Sequence, residues 1–552
     1  MGRSPSMSSR GDRHAPVSSM PTTRSLRPLL AALAVAGAIP THATTQSSPL
    51  SSIAPSARFT DTQRHAKLRS AFPAIDSLVR AFVAQRRVPG YAFGIIIDGR
   101  LEHIVAAGTA NLANGTPVDT GSVFRIASMS KSFAALAILQ LRDEGKLDLD
   151  TPAERYVPEL ASLRYAASDA PRITVRHLLT HSAGFPEDNP WGDQQLDATE
   201  EAFSAMMRRG IPFSTAPGSQ YEYSNYGFAI LGRIVSNVAG MPYARYLRER
   251  ILLPLGMTAT TLQSSDVDPR KLALGYRLQD GQWLLEPPLP DGAFGVMGGM
   301  LTTPADLTKW VAFMLDAWPA RDGPETGPVR RASVREMQQI QRFSGASADA
   351  RGDRLTLTAG GYGYGLRVAQ TCDLRALVSH TGGLPGYGSI MTWLPEQGVG
   401  IIGLGSLTYT GWTATANQAF DLLRATGGLS PREPQPSPVL LTRRAQVTRL
   451  VNAWTPALAD SVAAMNLFRD ESADRRAAQI ATLRDAAGGS CREEGPFVVE
   501  NALRGRWRLR CASGDLAVNI TLAPTEPAQV QFLSVAPLAR EASLDPAPVC
   551  RR

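Results

Sequence analysis

Strand-like runs bracket a long helical middle in this sequence, and that order narrows the folds open to it. Tyr91 to Ile97 and Leu101 to Ala107, split by Asp98-Gly99-Arg100, have the pattern of a β-hairpin. Far along the chain, Gly363 to Val368, Leu377 to His380, Ile390 to Leu394 and Val399 to Leu404 read as strands again. Between the two sets, apolar residues repeat at helical spacing. Phe133, Leu136, Ala137 and Leu141 mark one helix that ends near Gly145, and Phe228, Leu231, Val235 and Val238 mark another. A third starts after Thr303-Pro304, with Asp306 placed to complement its dipole. An earlier helix carries Ile75, Leu78, Val79 and Phe82 and stops before Val88-Pro89-Gly90. The polar stretch Ser344 to Arg354 reads as an insertion. One antiparallel sheet built from both ends, flanked by helices and with a helical subdomain beside it, satisfies this order. The expectation is an α+β domain over residues 70–428.

The 552 residues exceed the usual size of a single domain. Hydrophobic residues at 43% and charged residues at 19% describe a globular chain with material for a core. The net charge of +8 does not point to nucleic acid. Arg3, Arg10, Arg13, Arg24 and Arg27, against Asp12 alone, place half of it in the first 43 residues, and no basic block follows. That segment reads as an export signal, 1–43. A basic stretch ends at Arg27, an apolar run spans Leu29 to Ile39, and Thr41-His42-Ala43 offers a small residue at the cut. The apolar run is short for a membrane span, although an uncleaved anchor is the other reading and Met20 an alternative start. A periplasmic or secreted protein without a transmembrane anchor after cleavage is expected. Residues 44–69, rich in Ser, Thr and Ala, read as a flexible spacer.

Four prolines between Leu429 and Pro438 mark a linker, 429–440. Residues 441–552 then read as a small α+β accessory domain, an accessory or substrate-cleft-covering module. It has helices near Ala445 to Trp454 and Arg475 to Leu483. Its half-buried strands carry Trp507, Leu509 and Cys511, and Leu516, Val518, Ile520 and Leu522. Arg506, Arg508 and Arg510 alternate with the first apolar set. They are the solvated face of a strand or, alternatively, a surface for an anionic polymer. Cys372, Cys491, Cys511 and Cys550 allow three pairings, and the crowding near the C-terminus favours Cys491 with Cys511. His177 and His181 could share a helix face, but no Glu lies between them and Leu178 and Leu179 look like core. No metal and no cofactor are expected.

Three short segments carry chemistry. In Ser128-Met129-Ser130-Lys131 a strand-like stretch turns into the Phe133 helix. A serine there has free backbone N–H groups and a favourable dipole beside it, and a lysine three residues on lies on the same face. A lysine kept neutral by burial is a competent base. Only five lysines stand among the 57 basic residues, and no other has a serine three places before it. Ser130 points elsewhere on the helix and reads as structural. Tyr223 and Asn225, two apart on a turn before the Phe228 helix, can point the same way. A phenol can shuttle protons where cations lower its pKa, and an amide can hold a lysine and a substrate. His380-Thr381-Gly382-Gly383 follows a strand, with glycines that let a substrate backbone come close.

In order and separation, these Ser-x-x-Lys, Tyr-x-Asn and His-Thr-Gly segments resemble the three active-site motifs of the serine β-lactamase and penicillin-binding family. The branch is that of class C β-lactamases and D-alanyl-D-alanine carboxypeptidases. Flanking stretches agree: His177-Leu-Leu-Thr-His181-Ser-Ala-Gly184, Pro217-Gly218, and Gly298-Gly-Met-Leu-Thr-Thr-Pro-Ala-Asp306. The resemblance covers roughly residues 70–428 and leaves the C-terminal domain unexplained. It implies a β-lactamase/transpeptidase-like fold. Ser128 attacks an amide or ester carbonyl, and Lys131 and Tyr223 take and relay the proton. Asn225 positions the substrate, His380 and Thr381 border it, and the N–H groups of Ser128 and Gly383 form the oxyanion hole. One departure stands out. Class C β-lactamases usually carry Lys-Thr-Gly at the third motif, so a titratable His380 is expected to weaken carboxylate recognition or make it pH-dependent. The expected activity is a serine acyl hydrolase acting through an acyl-enzyme on D-amino-acid peptides, β-lactams or related amides and esters. The substrate is a small molecule or peptide, peptidoglycan-derived fragments included. A carboxylesterase of the same fold and a catalytically silent peptidoglycan-binding protein are the competing readings.

Overall fold

Asp98 and Gly99 both have positive φ, 50° and 79°. This is the turn an Asp-Gly pair makes between tightly joined strands, and it closes the hairpin of β1 (Gly90–Ile97) and β2 (Arg100–Asn111). The computed structural model describes residues 50–165, 167–351 and 354–544, so the expected export signal, 1–43, lies outside it. The hairpin belongs to a nine-stranded antiparallel sheet with β3 (Thr116–Pro117), β4 (Arg342–Arg351), β5 (Arg354–Tyr362), β6 (Arg367–Thr371), β7 (Leu377–Leu384), β8 (Tyr387–Leu394) and β9 (Val399–Gly405). Its order is β3-β2-β1-β9-β8-β7-β6-β5-β4, so the two ends of the domain meet where β1 pairs with β9.

All eight residues of β1 are buried because both faces of the sheet are covered. Tyr91, Phe93, Ile95 and Ile97 pack with α1 (Phe72–Arg86) and α5 (Thr413–Ala425) on one face. Ala92 and Ile96 pack on the other, with α2 (Ser130–Asp143), α3 (Asn225–Ala239) and α4 (Pro304–Asp316). The alternation follows from the two-residue period of a strand. Each fully buried Ile or Phe on these faces contributes roughly 1.5–3 kcal/mol. Every residue from Ser130 to Leu141 is buried, so α2 runs through the interior instead of over its surface. Phe133 stacks on Trp310 of α4 with ring centroids 3.6 Å apart.

Four boundaries differ from the sequence reading. The polar stretch Ser344 to Arg354 is no insertion; its described residues belong to β4 and β5, paired at the sheet edge, where backbone pairing supplies the structure. The strand expected from Gly363 begins only at Arg367, because Gly365 (φ 67°) turns the chain tightly against α2, where a Cβ would lie 2.7 Å from the Lys131 carbonyl oxygen. Residues 50–69 are anchored, not a spacer: Arg58 bridges Glu433, and the buried Arg64 pairs with Asp98 at 2.7 Å. The linker ends early. Pro438 opens the next helix, α6 (Pro438–Asn452), with Ser437 accepting the Leu440 N–H and Val439 and Leu440 fully buried.

The C-terminal region has its own apolar cluster, formed by α6, α7 (Ala473–Ala486) and an antiparallel meander of β10 (Arg492–Asn501), β11 (Arg504–Arg510), β12 (Asp515–Leu522) and β13 (Val530–Leu538). Arg506 pairs with Glu500, Arg508 with Asp515, and Arg510 with Glu494 and Asp515. The arginine stripe is thus neutralised within the strand face, which favours the strand-face reading over an anionic polymer. Register sets Arg492 opposite Arg510, and Cys491 and Cys511, one step outward, form a disulfide. It closes a loop of sequence separation 20. Replacing both cysteines by serine is expected to lower the stability of this region by about 3 kcal/mol, from the loop-closure entropy returned to the unfolded chain. Thermal unfolding of the double variant checks this; an unchanged transition would remove the staple role.

Candidate active site

The short strand Phe124–Arg125 pairs with Leu301–Thr302, and the Ile126 N–H donates to the Met300 carbonyl at 2.9 Å. Ala127 then takes φ 49°, a left-handed conformation uncommon for a residue with a side chain. This kink starts the 3₁₀ turn Ala127–Met129, which runs on into α2 and leaves Ser128 9% exposed. Ser130 is consumed structurally: its hydroxyl donates to the Ala127 carbonyl and accepts from the Met300 N–H. Gly382 lets β7 lie against this turn, since a Cβ there would sit 2.1 Å from the Ile126 oxygen. Gly383 faces Tyr409, where a Cβ would come within 2.7 Å of the ring.

Lys131 is fully buried. Its Nζ lies 2.7 Å from Asn225 Oδ1, 2.8 Å from the Met297 carbonyl and 3.0 Å from Ser128 Oγ. The first two groups only accept. A neutral amine spends both its N–H groups on them and keeps its lone pair for the serine hydroxyl. Burial lowers the Lys131 pKa to about 7, against the opposing charges of Asp193 and Asp188. A substantial neutral fraction therefore exists near neutral pH.

Asn225 does not line the pocket. It is fully buried, with Oδ1 on Lys131 and Nδ2 donating to Asn189 Oδ1 at 3.1 Å. Its oxygen is thus taken by Lys131 and one Nδ2 proton by Asn189, so it orients Lys131. Asp188 fixes it from behind, accepting the N–H groups of Asn225 (2.7 Å) and Tyr226 (2.8 Å) at the start of α3.

Tyr223 is buried beside Ser128, and the Lys131 nitrogen sits 5.0 Å from its ring centroid. Burial raises its pKa well above the ordinary phenol value; the interaction with Ser128 and the charge of Arg367 act the other way and lose. Tyr223 is thus a phenol at neutral pH, a proton donor and not a resting base. The nearby cation does not lower its pKa below the usual value, as the sequence reading supposed, because desolvation outweighs it. His181 lies against the Tyr223 ring at 4.2 Å and accepts the Ser224 N–H. His177 completes a capping box with Thr174. Both histidines are structural, and no group of three His, Cys, Asp or Glu among the described residues could hold a metal.

The expectation for His380 needs correction. Its Nδ1 lies 2.6 Å from the Thr381 carbonyl, which can only accept, so Nδ1 carries the proton and Nε2 accepts from the Tyr362 hydroxyl at 2.9 Å. Burial, then the charges of Lys131 and Arg367, lower its pKa to about 3. A neutral, doubly engaged imidazole offers no cation to a carboxylate. Strand alternation explains it: Val378, His380, Gly382 and Leu384 face inward, while Thr381 is exposed.

These groups enclose a pocket of about 340 Å³ lined by Ser128, Asn189, Pro190, Asp193, Tyr223, Arg367, His380, Thr381, Gly383 and Tyr409. Sequence reading missed Arg367, Asp193, Asn189 and Tyr409. Arg367 lies over the Tyr221 and Tyr223 rings at 6.0 and 5.9 Å and is the cation of this wall. Its only sequence signal was membership of a strand beside the His380 strand.

The family model for β-lactamases matches residues 75–426, well over half the chain. The chain belongs to the β-lactamase family. It is 26% identical over 336 residues to Protein flp of Staphylococcus aureus (strain NCTC 8325 / PS 47), covering 60% of this chain and 62% of that protein. It is 26% identical over 304 residues to Penicillin-binding protein 4* of Bacillus subtilis (strain 168), covering 51% and 60%. The chain thus spans about 60% of the length of these curated relatives. The octameric penicillin-binding protein homologue from Pyrococcus abyssi shares its fold, with a TM-score of 0.56, 23% identity, and coverage of 85% of this chain and 94% of that one.

Proposed function

We propose that this protein is a serine acyl hydrolase that works through an acyl-enzyme at Ser128. The observation that carries the reading is the buried amine of Lys131, 3.0 Å from Ser128 Oγ with its other positions filled. Neutral Lys131 takes the hydroxyl proton as Ser128 Oγ bonds to the substrate carbonyl carbon. The N–H groups of Ser128 and Gly383 receive the oxyanion. As the C–N bond breaks, the Tyr223 phenol gives its proton to the leaving nitrogen and regains one from the Lys131 ammonium. Water then cleaves the ester. The substrates are D-amino-acid peptides, β-lactams or related amides and esters, with peptidoglycan fragments among them.

Arg367, not His380, holds the substrate carboxylate in this reading. Arg367→Ala is expected to lower the preference for a carboxylate-terminated substrate over its carboxamide by roughly 10- to 100-fold, the worth of a charge-assisted hydrogen bond. Steady-state kinetics on the pair checks this, and equal losses on both would remove the role.

The reading as a whole is tested by mass spectrometry after exposure to a fluorescent penicillin, a fluorophosphonate and a D-alanyl ester. An adduct on the Ser128 peptide supports it. Absence of any adduct, or one on another residue, overturns it. Turnover of short acyl esters alone, with peptides and penicillin ignored, would move the assignment to a carboxylesterase.

A further inference from the structure

Asp193 is the carboxylate of the pocket wall, and the mechanism above leaves it unused. It is 3% exposed and lines the same pocket as Ser128. Its Oδ2 accepts the Tyr409 phenol at 2.8 Å, and among the described residues no other protein group donates to it. Asp188, close by, differs: both its oxygens are taken by the α3 N-terminus. Lys131 acts on it only through space and gives it no hydrogen bond, because its nitrogen is committed to Ser128, Asn225 and Met297. Burial raises Asp193 to about 6, so it is mostly ionised at neutral pH. A buried carboxylate with one hydrogen bond and no contact ion pair is costly, and such groups collect where a ligand completes them.

The pocket wall carries one cation and one anion, and the sheet register separates them. Arg367 pairs with Ser379 on β7, while Tyr409, which holds Asp193, packs on Gly383. Four residues of strand set these points about 13 Å apart, with Thr381 between them and the Ser128 turn alongside. A substrate whose carboxylate meets Arg367 on the leaving side therefore presents its acyl side toward Asp193.

We propose that Asp193 is a specificity-determining residue that binds a free ammonium group on the acyl side of the scissile bond, so that the preferred substrates are short amides or peptides with an unblocked amine beside the carbonyl. This rests on Ser128 being the nucleophile. A pocket of about 340 Å³ lies at the small end of the range for ligand pockets, in keeping with short substrates.

The test compares D-alanine p-nitroanilide with its N-acetyl form on the full chain. The wild type is expected to favour the free amine, and Asp193→Asn to shrink the ratio of the two kcat/KM values by roughly 10- to 100-fold, the range of a hydrogen bond to a charged group. Asparagine still offers the Tyr409 hydroxyl an acceptor. If D193N fails to fold, the wild-type pair alone decides. Equal handling of the two substrates, preference for the acetylated one, or a D193N that lowers both in step overturns the assignment. So does accumulation of acyl-enzyme from both substrates in D193N, which would make Asp193 a base for the hydrolytic water. Fluorophosphonate labelling of the wild type keeps the two readings apart. A labelled Ser128 without amine preference defeats only Asp193, whereas an unlabelled enzyme defeats the nucleophile and this inference with it.

Discussion

Ser128→Ala is expected to leave a folded protein that no longer takes up fluorescent penicillin or fluorophosphonate, with turnover of any substrate reduced by about 10⁴-fold or more. The hydroxyl is the only atom lost. It meets Lys131 Nζ at 3.0 Å but supports no backbone group, unlike Ser130, whose hydroxyl bridges Ala127 and Met300. The fold should therefore survive, and Ser130→Ala should show the reverse balance, with a larger loss of stability. Residual catalysis in S128A would come from the oxyanion donors and binding alone. Gel fluorescence and a thermal melt on the same preparations check the pair. Labelling that persists in S128A would end the assignment.

Removal of the base is the second large effect. Lys131→Ala should reduce acylation by about 10²- to 10⁴-fold, the contribution of a positioned general base. It should also change the shape of the pH profile. In the wild type, the acylation rate should climb as pH rises through about 7, where Lys131 loses its proton, and level off above. The sign follows from burial: the uncharged amine is the form favoured by the interior and the only one with a lone pair for the Ser128 proton. Neither His380 nor Tyr223 can supply this limb. His380 has already lost its proton above about 3, and Tyr223 keeps its own beyond the ordinary phenol range. Asp193, at about 6, would add a shallower component below the lysine step. Stopped-flow acylation by a chromogenic substrate from pH 5 to 9 measures this. A profile in K131A that keeps the limb near 7 would assign the base elsewhere.

Much of the candidate site was open to reading because its parts are neighbours in the chain. Ser128 and Lys131 are one helical turn apart, so local geometry alone brings them to one face, whereas Tyr223 and Asn225, two residues apart, diverge: Tyr223 lines the pocket and Asn225 lies behind it on Lys131. The glycines after His380 marked a close approach, and the apolar run of β1 with its turn at Asp98-Gly99 foretold a hairpin. The β4–β5 hairpin escaped notice for the opposite reason: a polar edge is held by backbone pairing, which leaves no hydrophobic pattern.

The chain's local order thus determined the pairing of Ser128 with the Lys131 amine and the strands around them, since spacing along a helix or strand is a property of the backbone period. Tertiary packing decided the rest. Burial turned His380 into a neutral brace and Tyr223 into a proton donor, and it made Asn225 a holder of Lys131. Arg367 came from a sheet strand and Asp193 from the short helix Asn189–Asp193 to the wall of one pocket. Desolvation and long-range contact set those roles, and neither is written in the identity or spacing of the residues themselves.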